Sequence, residues 1–395
     1  MSFTPAERQT LIGAMAAVSL VPLNSTMIAV ALPAIAEDFG LAAGRTAVLV
    51  TAYLVVMMVL QPVAGRVGDR VGTRRSAVSA LVGFGLASVL AAVATSFALL
   101  LIARVLQAVA GAALSPNVQA LVRANVADDR RGRAFGVLGA GIGVGAAAGP
   151  VVGGVLLQAA GWPAMFWASG AITIAAFFLL VRVRSAPAAD AATFSLAPLT
   201  RAPFIAACTT QGAMNLAMYT TLLIVPVLLT ARRWGEATIG LALLGLTAGL
   251  VILGPVGGWV GDRVGRRPPV VAGSTVAVAG TALVATMGVS SPVALVFGLV
   301  GMGAGMGFAS ASLQTAALES VPVAMSGSAA GVLSTSRYVG STAGTIAIAV
   351  LMGQGTTGAE SVLLLALAGA VVAVAAATRI ESRAAADADQ PNLRQ

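Results

Sequence analysis

Two carboxylates occupy matching settings in this chain. Asp69 lies in Pro62-Val63-Ala64-Gly65-Arg66-Val67-Gly68-Asp69-Arg70-Val71-Gly72, and Asp262 holds the same place 193 positions later in Pro255-Val256-Gly257-Gly258-Trp259-Val260-Gly261-Asp262-Arg263-Val264-Gly265. Each follows a long apolar run and precedes a charged tight turn. A carboxylate there can accept hydrogen bonds or pair with arginine, and Arg70, Arg74 and Arg75 can meet either Asp69 or lipid phosphates. Gly65 and Gly72 allow close helix approach and a tight turn. A plain topogenic loop signal would account for the arginines but not for the spaced glycines or the aspartate.

A second group of polar residues sits where apolar residues dominate. Arg104 and Arg337 fall inside long apolar runs, where a charge normally faces a cavity or a partner. For Arg104 the competing reading is an arginine that snorkels to the outer interface. Gln107, Asn24, Tyr53 and Gln314 are further polar groups in such runs. Gln211, Asn215 and Tyr219 recur every four residues and share one helix face. Any single one can be an interhelical hydrogen bond; together they suggest a pathway with apolar walls and a net positive charge, suited to neutral or anionic cargo.

The fourteen carboxylates all fall in loops, tails or span ends, and histidine is absent. No group near a midplane is therefore available to carry a proton at neutral pH. Glu319, at the inner end of the tenth span, is the least implausible substitute, followed by Glu37 and Asp38. The lone Cys208 lies in an apolar run, no carboxylate pair sits inside a span, and no Gly-Lys-Ser/Thr phosphate loop is present. These features argue against an enzyme, a bound metal or cofactor, and ATP-driven chemistry.

The elements that must position these residues follow from composition. The chain is 58% hydrophobic and 9% charged, with mean hydropathy +0.94, against about a quarter charged in a soluble domain. Residues 11–36 and 271–318 carry no charge at all. The pattern predicts about twelve spans of roughly 20 residues each. They centre near Ser19, Val55, Gly85, Val109, Gly145, Ile172, Met218, Gly249, Val278, Gly301, Gly340 and Ala370. The first is read as an uncleaved span rather than a signal peptide.

The repeat implies two homologous halves. We expect an all-α membrane protein with six helices in 1–182, a cytoplasmic linker over 183–201, six helices in 202–380 and a disordered tail over 381–395. With both termini in the cytoplasm, eighteen of the 23 basic residues, all arginine, fall on the cytoplasmic side. Three fall outside and two within spans, as the positive-inside rule requires. The net charge of +9 then needs no nucleic-acid partner.

These motifs resemble those of the major facilitator superfamily over nearly the whole chain. Gly65 to Arg75 is similar to its loop signature, motif A, echoed at Gly258 to Arg267. Gly141-x-x-x-Gly145-x-x-x-Gly149-Pro150-x-x-Gly153-Gly154 resembles motif C of the drug/proton antiporter branch, although small-x-x-x-small packing occurs in any bundle. Gly340 and Gly344 stand 195 positions after Gly145 and Gly149, without the proline. Likewise Ser326-Gly327-Ser328-Ala329-Ala330-Gly331 echoes Arg131-Gly132-Arg133-Ala134-Phe135-Gly136. Arg104-Val105-Leu106-Gln107 resembles an exporter R-x-x-Q-G motif with Ala108 for the glycine. Leu23-Asn24-Ser25-Thr26 resembles L-D-x-T with Asn24 replacing aspartate.

The resemblance implies a multi-pass transporter of the cytoplasmic membrane, monomeric, that exports a small organic substrate by alternating access, with protons as a possible second partner and membrane lipid around it. It also implies that Asp69 meets the start of the eleventh span near Ser326–Ser328 and latches the outward-facing state, with Asp262 and Arg263 in the corresponding second loop. An uncoupled facilitator or importer, or a non-transporting sensor, stays open as an alternative.

Overall fold

The computed structural model describes residues 3–41, 43–184, 197–231, 233, 236–286, 291–351 and 356–380. The tail after 380 and residues 185–196 of the expected linker lie outside the described residues. Among the described residues the chain is helical, with twelve long helices: α1 (Pro5–Asp38), α2 (Val48–Val71), α3 (Thr73–Ala92), α4 (Phe97–Asn125), α5 (Arg131–Ala160), α6 (Pro163–Leu180), α7 (Ala202–Ala231), α8 (Glu236–Val264), α9 (Arg267–Thr286), α10 (Pro292–Glu319), α11 (Ser326–Leu351) and α12 (Thr356–Ala377). Each expected span centre falls in its own helix. Among the described residues, ten of these helices carry a stretch long and apolar enough to cross a membrane by length and composition.

Local sequence explains where the helices begin and break. Thr4 and Glu7 form a capping box at the start of α1, with Pro5 in the first helical position. Ser96 and Ser291 accept from the N–H groups of Leu99 and Ala294, capping α4 and α10. These caps satisfy donors that a helix start leaves without partners. Between α2 and α3, Gly72 has φ 104°, and between α8 and α9, Gly265 has φ 92°. Only glycine adopts such angles without strain, so the repeated turn depends on both.

The chain divides into two compact units. One contains Met1–Ala127, Gly141–Phe194 and Pro322–Thr335; the other contains Asp128–Ala140, Ser195–Val321 and Ser336–Gln395. The start of α5 thus belongs with the second unit, and the start of α11 with the first.

Helix pairing repeats with a shift of six. In the first unit α4 packs on α1, α2 and α3, and α6 packs on α1 and α3. In the second, α10 packs on α7, α8 and α9, and α12 packs on α7 and α9. Helices α4 and α10 are the central ones, and each carries the same 50% buried share over its apolar window. Elsewhere large apolar side chains stay exposed, among them Leu86, Val151 and Phe297, as a lipid-facing surface requires and water would not tolerate.

One end of the first unit is closed by an aromatic cluster. Phe39, Phe97, Trp162 and Phe166 pack edge to face or tilted, with centroids 5.9–6.2 Å apart. The Trp162 Nε1–H donates to Asp38 Oδ2 at 2.6 Å. Asp38 is therefore engaged in holding α1 to the start of α6.

Candidate functional site

In the first unit, Asp69 lies near the end of α2 and is buried, at 3% exposure. Its Oδ1 accepts the Gly327 N–H at 2.7 Å; its Oδ2 accepts the Ser328 N–H at 2.7 Å and the Ser328 hydroxyl at 2.6 Å. Gly327 and Ser328 are the second and third residues of α11, so the carboxylate takes N–H groups that the helix itself cannot pair. Close approach makes this possible, since a Cβ on Gly65 would fall on the Gly327 carbonyl and one on Gly331 would strike the Gln61 carbonyl. Arg123, at the end of α4, donates to the Ser326 hydroxyl at 2.8 Å and the Pro322 carbonyl at 3.4 Å. Nothing in the sequence sets Arg123 apart from the other loop arginines.

Arg74 of the same loop goes elsewhere. Arg74 donates to the carbonyls of Val181 and Val183 at 2.8 and 3.3 Å, placing a cation at the C-terminal end of α6, where the helix dipole favours it. Arg75 is exposed. Both oxygens of Asp69 bond instead to α11.

The second unit builds the same contact from the repeat. Asp262, near the end of α8, accepts the Gly132 N–H at 2.7 Å and the Arg133 N–H at 2.9 Å, again the second and third residues of a helix, here α5. A Cβ on Gly258 would fall on the Gly132 carbonyl, and one on Gly136 would strike Gly254.

Around Asp262 the surroundings are charged. Arg266 bonds Asp262 at 2.5 Å, both oxygens of Glu319 at 3.0 and 3.1 Å, and the Asp128 carbonyl at 3.0 Å. Burial alone would lower the Arg266 pKa, but the hydrogen bonds and charges of Glu319 and Asp262 outweigh it and raise the value. Glu319, the residue considered for proton coupling, is thus held in an ion-pair cluster at the end of α10. Its participation here could not be read from spacing, because Arg266, and Arg131 with its Nη1 4.0 Å from Glu319 Oε1, come from other helix ends. Arg263 stacks on the Trp259 ring with its guanidinium carbon 3.8 Å from the centroid.

Four of the expected pathway residues form one buried network in the first unit. Arg104 on α4 is fully buried; its Nη1 donates to Asn24 Oδ1 on α1 and to Gln107 Oε1 at 2.9 Å. The guanidinium lies 4.4 Å from the Tyr53 ring centroid, a cation–π contact with α2. Asn24 Nδ2 donates to Ser169 of α6 at 2.9 Å, and Gln107 Nε2 donates to Ser88 of α3 at 2.8 Å. Ser88 and Ser169 could not be picked out beforehand, since a serine in an apolar helix gives no signal until its neighbour is known. Arg104 Nε and Nη2 are buried without a hydrogen-bond partner, and the network contains no carboxylate.

The other pathway candidates belong to the second unit. Asn215 is buried and donates to the Gln211 carbonyl at 2.8 Å, within its own helix α7. Gln314 is buried on α10, whereas Gln211, Tyr219 and Arg337 are half-buried.

The glycines of α5 meet α1. A Cβ on Gly145 would press on Ser19, one on Gly149 on Thr26 and Leu23, and one on Gly153 on Met27. Ser19 donates to the Gly141 carbonyl at 3.0 Å. A Cβ on Gly154 would meet nothing within 4 Å, so this glycine lies off the ridge, and Pro150 is exposed. On α11, a Cβ on Gly340 would fall on Gly212 of α7, and one on Gly344 would approach Thr220 of the same helix.

Among the described residues no cluster of metal-ligating side chains occurs.

Known proteins resemble this chain in sequence and fold. The Major Facilitator Superfamily profile matches residues 14–345 and 205–392. The uncharacterized MFS-type transporter YwoD of Bacillus subtilis is 26% identical over 86% of this chain and 89% of its own length. The multidrug efflux pump LfrA of Mycolicibacterium smegmatis is 40% identical over 38% of this chain; like several other relatives, it is matched over only 30–33% of its own length. The E. coli fucose:proton symporter FucP shares the fold, with TM-score 0.78 at 13% identity over 95% of this chain and all of that structure. The matched profile, the twelve helices and the repeated pairing agree, and the chain belongs to the Major Facilitator Superfamily, a family of transporters rather than enzymes.

Proposed function

We propose that this chain is a secondary exporter of small organic molecules, working by alternating access in the cytoplasmic membrane with both termini on the cytoplasmic side. The halves would be 1–182 and 202–380, joined by a linker over 183–201. One observation carries this reading: the carboxylate clamp is built twice, Asp69 on the start of α11 and Asp262 on the start of α5. Two such clamps suit a molecule that fastens one state and must release it to reach the other. The glycine ridge of α5 and the efflux relatives support export over import.

Coupling is the point where this chain departs from its branch. Asn24 stands beside Arg104 where exporters usually carry an aspartate, and an amide does not titrate. The guanidinium therefore keeps its charge uncompensated, which favours neutral or anionic cargo and weak dependence on a proton gradient.

The test is flux of neutral, anionic and cationic organic probes through purified protein in proteoliposomes, with and without an imposed pH gradient. Saturable flux of neutral or anionic probes, weakly responsive to the gradient and made more responsive by Asn24→Asp, is the expected result. Absence of flux for every probe class would favour a non-transporting sensor. Strong gradient-driven flux in the native chain that survives Glu319→Gln would overturn the coupling argument.

A further inference from the structure

The outer face of the first unit carries a groove between α2, α3 and α4, of about 660 Å³. Its walls are apolar: Val67 and Val71 of α2, Leu86 and Leu90 of α3, and Leu106 and Val109 of α4. Leu86 is 67% exposed, so no part of this unit covers it. The only polar side chains in the lining are Arg75, Ser76 and Ser79, and all three sit in the first two turns of α3. The groove is thus polar at one end and apolar along the rest. From Arg75 to Leu90, α3 rises about 22 Å, enough to run through the hydrocarbon of one leaflet, about half of a 30 Å core.

Among the described residues, Arg75 differs from Arg74 in making no bond. Arg74 is taken up by the α6 carbonyls, Asp69 is taken up by α11, and Arg75 makes no hydrogen bond or ion pair among the described residues. A cation at the membrane edge, two hydroxyls beside it and an apolar trough running inward complement one kind of molecule. We propose that this groove binds an anionic glycerophospholipid, with its phosphate on Arg75 and the hydroxyls of Ser76 and Ser79, and an acyl chain along Gly83 toward Leu90 and Leu106. The positive-inside orientation would put the headgroup in the cytoplasmic leaflet, where anionic lipids attract basic residues. The site stands on the groove and its charge, so it does not depend on which cargo the protein moves.

Gly83 supplies a way to fill the trough. A Cβ there would meet only Ala110 Cβ, at 3.7 Å, so a larger side chain enters the groove without striking backbone. The experiment is native mass spectrometry of the full chain from mixed micelles containing phosphatidylglycerol or phosphatidylcholine, with retained lipid counted per protein. The native chain should retain phosphatidylglycerol over phosphatidylcholine. Arg75→Gln should lower phosphatidylglycerol retention roughly fivefold, the loss of one basic contact, while Arg75→Lys largely preserves it. Gly83→Leu should lower retention of both lipids.

An equal fall with Arg201→Gln, a cation outside the groove, would reveal only diffuse attraction and overturn the site. So would undiminished retention in Gly83→Leu, or equal retention of the two lipids by the native chain. Displacement of the lipid by inorganic phosphate alone would show a free-anion site instead. Because Arg75 is exposed, Arg75→Gln leaves the packing intact and keeps the test decisive if Gly83→Leu fails to fold.

Discussion

The clamps at Asp69 and Asp262 have the same backbone and different surroundings. In both, a carboxylate near the end of one helix takes the N–H groups of the second and third residues of another, at 2.7–2.9 Å, across glycines that let main chains touch. Around Asp69 the additional hydrogen-bond partner is a neutral hydroxyl, while the charge of Arg123, which bonds Ser326 and Pro322, also acts on the carboxylate. Around Asp262 the additional partner is Arg266, itself bridged to Glu319 and the Asp128 carbonyl. Duplication has preserved what the main chain does while the side-chain environment has diverged. The first clamp rests on one buried carboxylate; the second distributes its charge over a partly exposed cluster.

Different substitutions separate these contributions. Asp69→Asn should have the largest effect, cutting flux roughly thirtyfold in protein that still elutes as a folded monodisperse peak, since bonds to a charged group are worth about 2 kcal/mol. Asp262→Asn should cost only about threefold, because Arg266 stays bound to Glu319 and to the Asp128 carbonyl. Equal losses from the two changes would break the comparison.

Gly65→Ala and Gly258→Ala come next, and here equality is expected. Each places a methyl on a carbonyl in the opposing helix, so each should cost flux about tenfold through overpacking. Unequal results from this pair would mean that the backbone contacts are not equivalent. On the glycine ridge, Gly149→Leu should be worse than Gly153→Ala. The new methyl at 153 meets its nearest atoms at 3.1 Å, which a small shift can relieve, whereas any side chain at 149 runs into Thr26. Gly154→Ala should be silent. A thermal-stability series on the purified variants reads that order.

The smallest effect concerns salt. Glu319 is 29% exposed in its pair with Arg266, so raising ionic strength should mimic Glu319→Gln with a loss of stability below about 1 kcal/mol. The native chain should lose that increment in high salt, and Glu319→Gln should not lose it again. An additional salt-induced loss in the variant would place the sensitivity elsewhere.

Much of the fold was legible because hydropathy is a local property. Charge-free stretches such as residues 11–36 mark helices wherever they end up packed, and the 193-residue repeat announces two similar bundles before any contact is known. Arg104 and Asn24 likewise stood out by being polar in apolar runs. Their mutual bond did not, nor did the roles of Ser88 and Ser169, because helix periodicity gives the face a residue lies on but not which helix that face meets. The expected partner of Asp69 came from family resemblance, and nothing in the spacing of Asp69 itself points to Gly327 and Ser328.

What the sequence by itself determined was therefore the number and type of helices, the duplication, the glycine-dependent turns at Gly72 and Gly265, and the short supply of titratable groups inside the spans. Each is fixed by local backbone preference or by the cost of placing charge in hydrocarbon. Only the tertiary structure decided that Asp262 grips Gly132 and Arg133, that the α5 ridge lies on α1, that Glu319 is claimed by Arg266, and that Arg75 is left facing an apolar groove. Those outcomes depend on contacts between residues far apart in the chain, and close packing among small side chains selects them by shape rather than by any pattern a single helix carries.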